Sequence, residues 1–172
     1  LEISENKVQG GSLRVLCRNS NNGTVLTEAA GFLRCEKNSV IYDGDFINEW
    51  SSNVHKACKD IESAVLRYKR AGKSIVGYGA PTKATLLMSL AKLSEENIDF
   101  VVEDNSLKVD RYLPGSGIQI RSPEELMIKQ PDVLLIFAWN FADDIISKVR
   151  KLSINQALEI IAPLPDLRIT KF

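Results

Sequence analysis

Asp132 is followed by Val133-Leu-Leu-Ile-Phe-Ala-Trp139, an unbroken apolar run. A strand with one wet face alternates apolar and polar side chains. A run without alternation needs cover on both faces, as strands have inside a parallel sheet. It is far shorter than the roughly 20 apolar residues of a membrane helix. Strand-like pieces recur around it at Ser74–Val76, Ile98–Val102, Ile118–Ile120 and Ala157–Ala162. Helical patterns separate them: one after Pro81, one opening at Ser122-Pro-Glu-Glu125 with serine as cap and proline at the first helical position, and one over Ala142–Leu152. Leu167–Thr170 reads as an edge strand. Alternation from residue 73 to 162 implies βαβ crossovers. The expected fold is α/β, a Rossmann-like doubly wound, mainly parallel sheet.

An N-terminal strand and a long helix are added to that core. Residues 1–9 are polar and read as an arm. In Ser12–Arg18, Leu13, Val15 and Cys17 alternate with Ser12, Arg14, Leu16 and Arg18, a strand pattern. Residues 19–23 are a turn cluster, Thr27–Arg34 a short helix and Val40–Tyr42 a short extended piece. Asp45 reads as the cap of a long helix. Its stripe of Phe46, Trp50, Val54, Ala57, Ile61, Val65 and Tyr68 points to core packing, and Gly72 to its end. The organisation expected is an arm and strand over 1–44 packed on a Rossmann-like domain over 45–172.

Several function classes fall away. The 22 basic and 22 acidic residues cancel, so charge gives no argument for nucleic acid or an anionic membrane. Cys17, Cys35 and Cys58 form no paired motif, and His55 is the only histidine, so no zinc site is expected. Leu1–Lys7 has no signal-peptide core and no initiator methionine, which reads as a fragment or an excised domain, and the cysteine pattern reads as a reducing cytoplasm.

The chemistry concentrates at Gly77-Tyr-Gly-Ala-Pro-Thr-Lys83. A strand, a glycine turn and a helix make an anion site, because the first helical amides lack intrahelical partners and the helix dipole favours negative charge there. Lys83 in the first helical turn makes best sense with an anion beside it. Threonine at 82 breaks the dinucleotide fingerprint, and the nucleoside-triphosphate loop is absent. Ligands of such sheets bind beyond the carboxyl ends of the strands. Those ends carry the glycine turn, Glu103-Asp104-Asn105 and Trp139-Asn140, with a long loop over 106–117.

Six motifs in this order carry a resemblance: Gly10–Arg14; Gly77–Lys83 with Thr85-Leu-Leu87; Glu103–Asn105 with Leu107-Lys108; Arg111–Gly115; Ser122-Pro-Glu124; and Ala138–Phe141. Over about residues 7–167 the chain resembles the C-terminal domain of SAM-dependent C-methyltransferases acting on nucleotide-linked deoxysugars. The resemblance implies a Rossmann-like domain that helps hold the nucleotide-linked sugar. It places the SAM-binding domain, the cysteine-rich zinc module and the catalytic histidine upstream of residue 1, so the isolated chain is expected to be inactive and to bind neither cofactor. Gln9 stands where that family commonly has histidine. Glutamine hydrogen-bonds but cannot titrate.

With that resemblance the expected substrate-binding set is Gln9, Ser12, Arg14, Gly77, Tyr78, Gly79, Ala80, Pro81, Lys83, Asp104, Asn105, Lys108, Arg111, Trp139 and Asn140. Arg14 suits a phosphate, or only a solvated strand face. Tyr78 either stacks on a base or packs inward. Asp104 either takes a ribose hydroxyl or orders the loop. Trp139 is read as a packed wall and Asn140 as a polar contact. No catalytic residue and no metal ligand is assigned. Two other readings stand beside this one: an NAD- or nucleotide-binding regulatory domain, and a scaffolding domain that docks through the Phe46–Tyr68 stripe.

Overall fold

The computed structural model describes residues 2–8, 11–17, 19, 27–152, 154 and 157–171. The expectations for Gln9, Gly10 and the turn at 20–23 lie outside them. The chain divides into two units, Leu1–Asn53 and Val54–Phe172, with the boundary inside the long helix.

In the N-terminal unit the polar arm is a strand. β1 (Glu2–Asn6) pairs antiparallel with β2 (Ser12–Leu16), Glu2 opposite Leu16 and Asn6 opposite Ser12. Apolar pattern could not reveal β1; the turn makes it. Asn6 Oδ1 accepts from the Val8 amide at 2.9 Å, and the Gly11 amide donates to the Val8 carbonyl at 3.0 Å. α1 (Thr27–Lys37) follows as expected. Val40–Tyr42 is a 3₁₀ turn and not an extended piece.

α2 (Gly44–Arg70) starts two residues earlier than expected, because Asp43 rather than Asp45 is its cap. The Asp43 carboxylate accepts from the amides of Asp45 at 2.9 Å and Phe46 at 3.4 Å. Gly72, at φ +72°, closes the helix, and the Lys73 amide donates back to the Tyr68 carbonyl at 3.1 Å. The stripe is buried only from Ile61 to Tyr68; Val54 packs partly against the core, and Phe46 and Trp50 are exposed. Periodicity marks a face but not how much of it finds a cover.

The second unit holds a six-stranded sheet. Its elements are β3 (Ile75–Tyr78), α3 (Thr82–Leu90), β4 (Val101–Val102), β5 (Ile120–Arg121), α4 (Glu125–Lys129), β6 (Val133–Ile136), α5 (Ala142–Val149), β7 (Glu159–Ala162) and β8 (Arg168–Lys171). The order is β5-β4-β3-β6-β7-β8, all parallel except the edge strand β8. Successive sheet residues alternate between two cores, which is what a doubly wound sheet requires. Ile75, Val101, Val133 and Leu135 pack with α2 and α3. Val76, Val102, Leu134 and Ile136 pack with α4 and α5. The unbroken apolar run is thereby accounted for: β6 is buried on both faces.

β4 and β6 flank β3, so the chain reverses its direction of winding there. The crevice between the carboxyl ends of β3 and β6 is the switch point where ligands of such sheets bind. No helix among the described residues is long and apolar enough to cross a membrane.

Candidate functional site

β3 runs two residues further than the sequence suggests and takes Gly77 and Tyr78 out of the turn. Gly77 faces protein: an added Cβ would meet Phe137 at 2.6 Å and Val101 at 2.7 Å. Gly79 does form the turn, at φ +88°, and its Cβ position lies 2.7 Å from that of Ala138. Both glycines are therefore required by close passage of neighbouring strands, whatever binds outside.

Tyr78 packs inward. It is buried, and its hydroxyl donates to the Asp104 carboxylate at 3.2 Å. Asp104 also pairs with Lys148 of α5. Burial holds the Tyr78 hydroxyl above the ordinary phenol range, and the Asp104 carboxylate holds Lys148 above the ordinary amine range. Lys148 lay outside the sequence reading, since nothing near it in the chain connects it to β4.

Glu103 turns back onto the glycine turn. Its Oε2 accepts from the Ala80 amide at 2.8 Å and its Oε1 from the Asn105 amide at 3.0 Å. Lys108 Nζ donates to the Ala80 carbonyl at 3.0 Å and lies 3.5 Å from Glu103 Oε2. Asn105 Oδ1 accepts from the Leu107 amide at 3.0 Å. Asn105 thus orders the loop that carries Lys108.

Lys83 has a different partner from the anion the sequence suggested: its Nζ lies 4.1 Å from the centroid of the Trp139 ring. Burial lowers the Lys83 pKa. Trp139 packs against the core on the α2–α3 side. Asn140 is exposed on the 3₁₀ turn Trp139–Phe141.

Two clefts share Pro81 and Lys108. The first, about 270 Å³, is lined by Tyr78, Gly79, Glu103, Asp104 and Phe141 at the switch point. The second, about 250 Å³, lies between the start of α3 and the loop after β4. Thr82, Thr85, Arg111 and Tyr112 line it. That loop is pinned. Tyr112 bridges to Gln119, the Leu113 amide donates to the Ile118 carbonyl at 2.8 Å, and Leu113 and Ile118 are buried. Arg111 is exposed, and among the described residues its guanidinium has no hydrogen-bond or ion-pair partner. Thr82 and Lys83, the first residues of α3, have amides without an intrahelical acceptor.

Of the expected set, Tyr78, Gly79, Ala80, Pro81, Asp104, Lys108 and Arg111 line these clefts. Gly77, Lys83, Asn105, Trp139 and Asn140 support or flank them. Ser12 and Arg14 belong to the N-terminal hairpin, where Arg14 is exposed. Thr82 and Thr85 enter from the structure; their offset, about one helical turn, was the available signal. No group of His, Cys, Asp and Glu among the described residues could hold a metal ion.

Residues 7–165 match the family described as the C-methyltransferase C-terminal domain. The chain is 30% identical over 170 residues to C-methyltransferase NovU of Streptomyces niveus, covering 98% of this chain and 40% of that protein.

Proposed function

The chain belongs to the C-methyltransferase C-terminal domain family, and from that premise we propose that it binds the nucleotide-linked deoxysugar that a SAM-dependent partner domain methylates. One observation supports this most: an exposed Arg111, with no ion-pair partner among the described residues, beside Lys108, Thr82 and Thr85 in a cleft at the carboxyl end of the sheet. A guanidinium and an ammonium next to two hydroxyls and the unpaired amides of a helix start suit a diphosphate. Exposed Tyr112 offers a ring for a base. SAM and zinc fall to domains outside this chain, in keeping with the 40% of the NovU length that it spans.

Titration with a nucleoside diphosphate, followed by amide shifts, tests the reading. Amides of Thr82–Thr85 and of Lys108–Tyr112 are expected to move, and Arg111→Ala should weaken binding by about tenfold or more. A panel of uridine and thymidine diphosphates that moves none of them would end the proposal.

A further inference from the structure

We propose that Glu103 is a specificity-determining residue: its carboxylate stands where a phosphate would sit on the glycine turn and closes that turn to dinucleotides. Three successive positions of the turn offer a ligand no donor. The Gly79 amide donates to the Val102 carbonyl at 2.7 Å. The Ala80 amide donates to Glu103 Oε2 at 2.8 Å. Pro81 has no N–H. The Ala80 carbonyl is taken as well, by Lys108 at 3.0 Å. Glu103 thus has what a bound phosphate oxygen would have, an amide and an ammonium, and its side chain is only 14% exposed.

The carboxylate acts in two ways. It occupies the amide that the pyrophosphate of a dinucleotide needs, and its charge repels an incoming anion. Glu103 is also the first carboxylate after β4, where a dinucleotide fold would use one for a ribose hydroxyl. Here it is turned inward onto Ala80 and Asn105, and its neighbour Asp104 is held by Tyr78 and Lys148. The diphosphate of a ligand is left the other side of Pro81, along Thr82, Thr85 and Arg111. The inference rests on the functional reading above only for that last placement.

The test follows the Ala80 amide in the whole chain, with inorganic pyrophosphate and NAD as probes. In the wild type neither probe at millimolar concentration should displace Glu103 from it, read as persistence of the coupling across the hydrogen bond from the Ala80 amide to the Glu103 carboxylate. Glu103→Ala opens the amide and frees Lys108, and should tighten pyrophosphate binding by about tenfold with Ala80 among the shifted resonances. Glu103→Ser is the second variant, because its hydroxyl can still accept from the Asn105 amide two residues on and so preserves the loop. Loss of the Ala80–Glu103 coupling on addition of either probe to the wild type overturns the proposal, whereas a shift of the Ala80 amide with that coupling kept reports only on the neighbouring cleft. So does a variant with a wild-type circular dichroism spectrum and no gain in pyrophosphate affinity. Shifts at Thr82–Thr85 with a nucleoside diphosphate report on the functional reading instead, so the two can fail separately.

Discussion

At the scale of single residues the glycine turn is a packing device first. Gly77 and Gly79 look alike in sequence but fail differently when enlarged. A methyl at Gly77 collides with Phe137 and Val101; at Gly79 it meets Ala138 and also a positive φ. Gly115, at φ +79° with open space around it, isolates the backbone cost. Gly79→Ala should destabilise by about 1–3 kcal/mol through strain and more through overpacking. Gly115→Ala should cost only about 1–2 kcal/mol. Urea melts of the two variants check the order; equal losses would mean that Ala138 simply moves aside. The turn was legible in the sequence because glycine spacing is local. What Gly77 faces was not, since Phe137 comes from a strand far along the chain. Lys83 shows the same limit. The sequence made it an unmatched cation, and only the fold brings Trp139 to it.

At the scale of elements, β3 and β6 are tied at their entrance. Asp132 accepts from Lys73 Nζ at 2.8 Å and from the Ser74 amide and hydroxyl at 2.9 Å each, and the Asp132 amide donates to Ser74 Oγ at 3.0 Å. Lys73, ahead of the Ser74 amide, holds the Asp132 pKa below its usual 3.8. The unfolded chain therefore takes up this proton at higher pH than the folded one. The stabilisation is present above the ordinary carboxylate pKa and is lost as pH falls through the lowered folded value. Asp132→Ala should cost about 1–2 kcal/mol at neutral pH. Its stability, measured by denaturant titration, should approach that of the wild type below pH 3.8. A gap that stays constant with pH would show that the carboxylate charge contributes nothing.

At the scale of the whole chain, the charged groups at the switch point of the second unit are occupied with one another. The carboxylates at the switch point are both engaged, Glu103 by two amides and Lys108, Asp104 by Tyr78 and Lys148. Neither is poised to take a proton from a substrate, and the described residues offer no metal cluster. Residues 1–172 alone should show no methyl transfer from SAM to a nucleotide-linked sugar. A radiolabelled methyl assay checks this, and incorporation above background would refute it.

The doubly wound sheet, the long helix with its glycine stop and the strand-end motifs could all be read from the sequence. Each rests on neighbours within a few residues: apolar period, capping chemistry and the left-handed conformation that glycine admits. The strand β1 could not be read this way, because a turn pairs it and no apolar pattern marks it. The partners of the charges also waited on the fold. Glu103 on Ala80, Lys148 on Asp104 and Lys83 on Trp139 join groups from different strands and helices. Charge and hydrogen bonding act through space, so a sequence can say that a group is charged but not which partner the packed sheet will bring to it.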